Sequence, residues 1–416
     1  MSSGRLTRRR HIQAVIAGLA QAAFRGEARA ANQNVAYGQT SIPDGIRSRF
    51  VDHVNGLRVH VLEAGFEQPG RPCLLLLHGF PELAFSWRKV MLPLAGAGYY
   101  VIAPDQRGFG RTTGWDPSYD ADLTQFSQLN IVRDALALLA ALGIKSVPAV
   151  IGHDMGSPAA AWCALTRPDV FRSVAMMSAP FGGAPAFPFN SAAGSGSPPA
   201  APASDLDRGL AALARPRKYY QDYYRTRDAD PNMHNCAQGL HAFFRAYYYY
   251  KSADWKGNQP FPLKARTAEE MAKMPTYYVM ERDKGMCETV APMMPSAAEI
   301  KACKWLTEDD VEVYAQEYGR TGFQGALQGY RRGVDPRNNA ELLTFSGRTI
   351  DVPSAFLSGK SDWGVYQTAG AAERMRTTAC TKMLGYHLVE GAGHWVQQEQ
   401  PEQVSRLLIE FLRHQS

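Results

Sequence analysis

The stretch Val147-Pro148-Ala149-Val150-Ile151-Gly152-His153-Asp154-Met155-Gly156-Ser157-Pro158-Ala159-Ala160-Ala161 decides the fold. An apolar run enters a turn bounded by glycines, and an alanine-rich helix follows at once. Val147–Ile151 reads as a buried strand, with Pro148 tolerable because it stands near the strand's start. Gly152 and Gly156 permit a sharp strand-to-helix turn, which lifts the side chain between them clear of the sheet. That side chain is Asp154. A carboxylate, with a reference pKa near about 3.9, is ionised at neutral pH and attacks without help from a base. Attack on an sp³ carbon leaves an alkyl ester on the enzyme, and only its cleavage by water needs a general base. The turn therefore points to covalent hydrolysis and disfavours cleavage of peptides or esters.

Outward from this turn the pattern is strand then helix, repeated. Upstream, Phe50–Val54 and Leu57–Leu62 flank Asn55-Gly56, a strong hairpin signal because type I′ turns need positive φ. Cys73–Leu77 and Tyr99–Ile102 are short apolar runs bounded by Gly, Pro and Asp, as buried strands are. Gln128–Leu142 has helical spacing, with Ile131, Ala135, Leu138 and Leu142 on one face. Downstream, Phe171–Met177, Pro353–Leu357 and Tyr386–Val389 read as strands and Val404–Leu412 as a terminal helix. The class is α/β: a mostly parallel sheet with an N-terminal antiparallel hairpin and helices on both faces.

The alternation breaks over residues 183–339. Gly182–Ser204 is rich in Pro, Ala, Gly and Ser and reads as a linker or surface loop. The segment after it is helical in composition, and 13 of the chain's 19 tyrosines fall between Tyr219 and Tyr330. An inserted helical lid is expected here, which divides the core into residues 45–182 and 340–416.

Two further groups complete a catalytic set. His394, in Gly391-Ala392-Gly393-His394-Trp395, follows the last predicted strand and suits a general base, since imidazole titrates near working pH. Asp362, in Gly359-Lys360-Ser361-Asp362-Trp363, follows strand Pro353–Leu357 and would orient that base. No Asp or Glu occurs between Val170 and Ser204, so the preceding strand offers no rival acid. The turn His78-Gly79-Phe80-Pro81-Glu82 follows strand Cys73–Leu77, and the backbone N–H groups of Phe80 and Met155 would form an oxyanion hole. His78 is expected to buttress this turn, and Asp105 and Arg107 to be structural.

Segments His78–Glu82, Pro104–Gly110, Gly152–Gly156 and Gly393–Pro401 together resemble the epoxide hydrolase branch of the α/β-hydrolase superfamily, the aspartate-nucleophile branch that also holds haloalkane and fluoroacetate dehalogenases. The resemblance implies an α/β-hydrolase fold and ring opening of an epoxide to a vicinal diol, without cofactor or metal. It also implies two lid tyrosines that donate hydrogen bonds to the epoxide oxygen. Tyr330, in Gly322–Arg331, matches the second of these. Tyr220 matches the first, with Tyr219 and Tyr223 as rivals nearby. A phenol is a suitable acid, being a neutral O–H donor at pH 7. Met155 stands where many relatives carry Trp, and neither it nor Phe80 offers a side-chain donor to a halide. A dehalogenase with the same nucleophile is the alternative within the family; a non-catalytic ligand-binding protein on this fold is the alternative outside it.

Residues 1–30 contain six arginines and one acid, Glu27. The run Thr7–Arg10, the uncharged Ile12–Phe24 and Ala28-Arg29-Ala30 are the three parts of an export signal, with the paired arginines resembling a twin-arginine signal although His11 replaces the usual aromatic. The mature protein is expected to be periplasmic or secreted. The six cysteines show no metal spacing. Cys73 and Cys163 should be buried thiols, and Cys287 and Cys303 are close enough in sequence to pair in an oxidising compartment. The chain's net charge of +6 drops to +1 without residues 1–30, which removes the basis for a nucleic-acid partner. A small hydrophobic epoxide is the expected partner.

Overall fold

The computed structural model describes residues 42–187 and 203–414; the export segment expected at residues 1–30 lies outside the described residues. The first strands are β1 (Ile46–Val54), β2 (Leu57–Ala64), β3 (Cys73–Leu77), β4 (Tyr100–Pro104), β5 (Ala149–His153) and β6 (Val174–Met177). A short ribbon, β7 (Arg217–Tyr219) with β8 (Val279–Glu281), lies in the insert, and β9 (Ser354–Gly359) and β10 (Met383–Val389) return to the core. The main sheet runs β1-β2-β4-β3-β5-β6-β9-β10, antiparallel through β1, β2 and β4 and parallel from β4 onward. Asn55 and Gly56 have φ of 49° and 80°, as the hairpin reading requires.

The central strands are covered on both faces, so they read as continuous apolar runs instead of alternating ones. Every residue of β3 and β5 is buried. Their registers align the strand ends: Leu77 pairs with Gly152, His153 with Met177, and Met177 with Leu357. The loops that follow β3, β5, β6 and β9 therefore emerge at one edge, where open α/β sheets carry their sites.

Strand β5 begins two residues later than its sequence suggests and runs on through His153. Pro148 has no N–H for the ladder, and Val147 is left with an isolated bridge to Phe171. For the same reason β6 is shorter than Phe171–Met177. The β7–β8 ribbon was hidden in the insert's helical composition.

The insert sits over the strand ends on buried polar ties. Arg88 pairs with Asp310 at 2.9 Å, Arg111 with Glu317 at 2.6 Å, and Ser86 Oγ lies 2.7 Å from Tyr314 Oη. Removing one partner of such a pair strands a buried charge and costs about 3–5 kcal/mol. Cys73 and Cys163 are buried free thiols, as expected. The expected Cys287–Cys303 pairing is wrong. Cys287 instead bonds Cys236, with Cα atoms 5.6 Å apart, and Cys303 stays free. Proximity in space explains this: the loop holding Cys236 packs on the Met286–Val290 helix, where Gln238 Nε2 donates to the Cys287 carbonyl, whereas Cys303 caps the next helix, Ala297–Ala302. Among the described residues no helix is long and apolar enough to cross a membrane.

Candidate active site

Asp154 sits at the tip of the turn between β5 and the Gly156–Thr166 helix, with φ of 51°. A non-glycine residue in this region is strained and persists only where its surroundings fix it. Here they do: Asp154 N–H donates to the Met177 carbonyl, and its own carbonyl accepts from Ser157. A Cβ on Gly152 would lie 1.9 Å from the Gly156 carbonyl oxygen, and one on Gly156 would lie 2.1 Å from that of Leu77. The small residues that marked this turn in the sequence are sterically required.

The Asp154 carboxylate is held at one oxygen and faced by the base at the other. Phe80 N–H donates to Oδ1 at 2.9 Å, and His394 Nε2 lies 3.4 Å from Oδ2. Met155 opens the following helix, but its N–H makes no hydrogen bond to the carboxylate. Burial raises the Asp154 pKa, yet the nearness and charge of His394, with Lys251 and His153 nearby, outweigh it and hold the group well below the ordinary carboxylate range. Asp154 is therefore ionised at any working pH.

Behind the imidazole, His394 Nδ1 lies 3.1 Å from Asp362 Oδ1. Asp362 also accepts from Gly364 N–H at 2.7 Å, from Ser358 Oγ at 2.9 Å and from Ser178 Oγ at 2.5 Å. Burial raises its pKa, but the charge of His394 and these donors bring it down to about 2. Ser178, at the end of β6 with φ of 67°, also lies 2.9 Å from His394 Nδ1. It occupies the strand end at which no Asp or Glu occurs, and a serine there carries no carboxylate signal in the sequence. The base is held from below as well, for His394 N–H donates to the Lys251 carbonyl at 3.0 Å. Glu399 accepts from the N–H groups of Gly393, Trp395 and Ala253, each at 2.9 Å. Burial pushes its carboxyl up to about 8 while these three donors pull the other way.

The expected supporting roles are met in the contacts. His78 Nδ1 lies 2.9 Å from the Gly79 carbonyl oxygen, and its Nε2 accepts from Gln106 N–H. Arg107 pairs with Asp134 at 2.7 Å, and Asp105 with His60 at 2.8 Å. His153 joins Glu82 at 2.6 Å, and its other ring nitrogen lies 2.7 Å from the His394 carbonyl oxygen.

Opposite Asp154 the insert presents phenols. The ring of Tyr330 meets that of Phe80 edge-on at 5.5 Å and that of Tyr220 at 6.0 Å. The negative charge of Asp154 acts on Tyr220 and Tyr330, as it does on Tyr247 and Tyr278. Burial lifts the pKa values of Tyr220 and Tyr330 well above 10, so both remain neutral O–H donors. Tyr223 instead donates to Asn232 at 2.6 Å, while Tyr219 and Tyr220 both donate to Gln367 at 3.2 Å; the charge of Asp154 acts on Tyr220 but not on Tyr219 or Tyr223. Tyr220 is the better placed of the three. Tyr224, which sequence reasoning did not single out, packs against both, 5.4 Å from the Tyr220 ring and 5.0 Å from that of Tyr330. Its hydroxyl lies 3.2 Å from that of Tyr247. Tyr247, Tyr248 and Tyr250 are buried packing residues.

With this geometry in place, similarity to known proteins is informative. The family described as alpha/beta hydrolase fold matches residues 72–401. Epoxide hydrolase B of Mycobacterium tuberculosis is 31% identical over 86% of this chain and 96% of its own length. Epoxide hydrolase 3 of Siraitia grosvenorii is 28% identical over 87% of this chain and 98% of its own. Among solved structures, an epoxide hydrolase from an endophytic Streptomyces superposes with a TM-score of 0.68 at 30% identity, covering 89% of this chain and 96% of that one.

Proposed function

Because the chain belongs to the α/β-hydrolase family, on its epoxide hydrolase-like branch, we propose that it opens epoxides to vicinal diols through an ester on Asp154. One observation carries the reading: an ionised carboxylate, held by Phe80 N–H and faced by His394, lies opposite two neutral buried phenols. Oδ1 occupies the backbone hole, so Oδ2 is the attacking oxygen. It forms a C–O bond with a ring carbon while the ring C–O bond breaks, and Tyr220 and Tyr330 receive the oxygen that leaves as alkoxide. His394 Nε2 then takes a proton from water, whose oxygen attacks the ester carbonyl carbon. The adduct collapses with scission of the bond between the Asp154 carbonyl carbon and the alkyl oxygen; the two protons of the water, one carried by His394 and one on the added hydroxyl, end on the two alkoxide oxygens of the diol, and Asp154 is restored as a carboxylate. Asp362, fixed by Ser178, Ser358 and Gly364, steadies the imidazolium formed meanwhile.

The rings of Phe80 and Tyr224 packed with Tyr220 and Tyr330, and Met155 beside Asp154, suit a hydrophobic epoxide. Neither Phe80 nor Met155 has a polar side-chain hydrogen for a departing halide, which disfavours dehalogenation. Export to an oxidising compartment belongs to the same proposal; the composition of residues 1–30 and the Cys236–Cys287 bridge support it.

The test is mass spectrometry of His394→Gln incubated with styrene oxide. The variant should retain the ester, and the peptide containing Asp154 should gain one substrate mass. A variant that never gains mass, while the wild type forms diol, would overturn the covalent route.

A further inference from the structure

Lys251 is the last residue of the Gly239–Lys251 helix and is 3% exposed. Its ammonium makes no hydrogen bond or ion pair among the described residues. Four rings enclose it instead: those of Tyr278 at 5.0 Å, Trp395 at 5.3 Å, Tyr247 at 5.5 Å and Tyr277 at 5.9 Å. Burying an unpaired cation is costly, and the negative faces of aromatic rings offset only part of that cost. A lysine kept there needs a reason.

The surroundings supply one. Burial lowers the Lys251 pKa, and three carboxylates act against it: Asp154 at the β5 turn, and the buried Asp362 after β9 and Glu82 after β3. Glu82 has a partner in His153, 2.6 Å away. Asp154 and Asp362 share a single imidazole, His394, which must be neutral to accept a proton from water. In that state two carboxylates face each other across an uncharged ring. The Lys251 chain passes directly beneath: its carbonyl accepts the His394 N–H at 3.0 Å, and its ammonium lies over Trp395, whose ring is 4.6 Å from that of His394.

Distance is the second point. A lysine in contact with Asp154 would tie up the oxygen that must attack carbon. The aromatic cage holds the ammonium off every carboxylate, so its field reaches them while the nucleophile stays free. The cage also joins the lid: Tyr278 packs on Tyr220 at 5.0 Å, on the side toward which charge moves when the ring opens.

Resting on the epoxide reading above, we infer that Lys251 is a positioning residue, a caged counter-charge that keeps Asp154 anionic beside a neutral His394. The charged and titratable groups about it are Asp154, Asp362, Glu82, His153 and His394 from the core, and the phenols of Tyr247, Tyr277 and Tyr278 from the insert.

The experiment compares wild type, Lys251→Arg, Lys251→Met and Lys251→Gln in steady-state hydrolysis of styrene oxide between pH 5 and 9. Without the cation, protonation near the two carboxylates is favoured. Both neutral variants should therefore move the acid limb of the kcat profile up by about one pH unit, and their kcat at pH 6 should fall about tenfold. Lys251→Arg keeps the charge and should keep the position of that limb. Packing defects alone would lower rates at every pH without moving the limb. An unshifted limb in whichever neutral variant folds overturns the inference, as does an arginine variant whose limb moves with the neutral ones. If the wild type itself hydrolyses no epoxide, the reading of the previous section fails instead.

Discussion

The Cys236–Cys287 bridge closes a loop with a sequence separation of 51 residues. That loop includes the whole Gly239–Lys251 helix and the chain that leads through β8 to the Met286–Val290 helix. Cross-linking a loop of this size removes conformational entropy from the unfolded chain worth about 4 kcal/mol at 25 °C. The perturbation is the double variant Cys236→Ser/Cys287→Ser, preferred to added reductant because both sulfurs are buried. Thermal unfolding should show its Tm lowered by about 5 °C, while activity at 25 °C stays within about twofold because the folded contacts survive. Alkylation in denaturant supplies the control. Wild-type protein from an oxidising compartment should take up four labels, on Cys73, Cys163, Cys303 and Cys380, and reduction should expose two more. Six labels before reduction, or a Tm within about 1 °C of wild type, would refute the reasoning.

The remaining expectations concern the site. Tyr220→Phe and Tyr330→Phe each remove one donor to the ring oxygen and should slow ester formation about 100-fold in single-turnover assays; equal losses in ester formation and ester hydrolysis would count against that role. Asp362 has its pKa lowered to about 2, so its charge contributes about 2 kcal/mol of stability that is fully present above its unfolded value near about 3.9 and disappears as pH falls through about 2. Unfolding of Asp362→Asn, followed from pH 6 to pH 2, should depend less steeply on pH than that of wild type; parallel curves would be the contrary result.

The parts of this protein that were legible in sequence are those set by local chemistry. Asp154 stands out because a turn this tight needs Gly152 and Gly156, and Asn55-Gly56 because a two-residue hairpin needs positive φ. Asp362 and His394 follow from chain order at strand ends, and the register of β3, β5, β6 and β9 is what turns that order into proximity. What escaped depends on contacts between distant segments. Cys287 chose Cys236 over the nearer Cys303 because helix packing decided it. Ser178 shows its role only beside Asp362 and His394, and nothing local distinguishes it from other strand-end serines. Among the tyrosines of Tyr219–Tyr224, direction decides which one faces the nucleophile, and a five-residue helix does not advertise direction in its composition.

Glu399 has a consequence for recombination between relatives. Its carboxyl group joins Ala253 of the insert to Gly393 and Trp395 of the base loop, and the indole of Trp395 donates to the Tyr248 carbonyl at 2.9 Å. Insert and core are separate in the sequence, yet at this seam they share one anchor. A chimera that exchanges the insert at its chain boundaries therefore cuts a unit formed by residues 248–253 and 393–399. Grafts meant to change substrate range should carry both segments from the same parent, or the donated lid will arrive with a misplaced base.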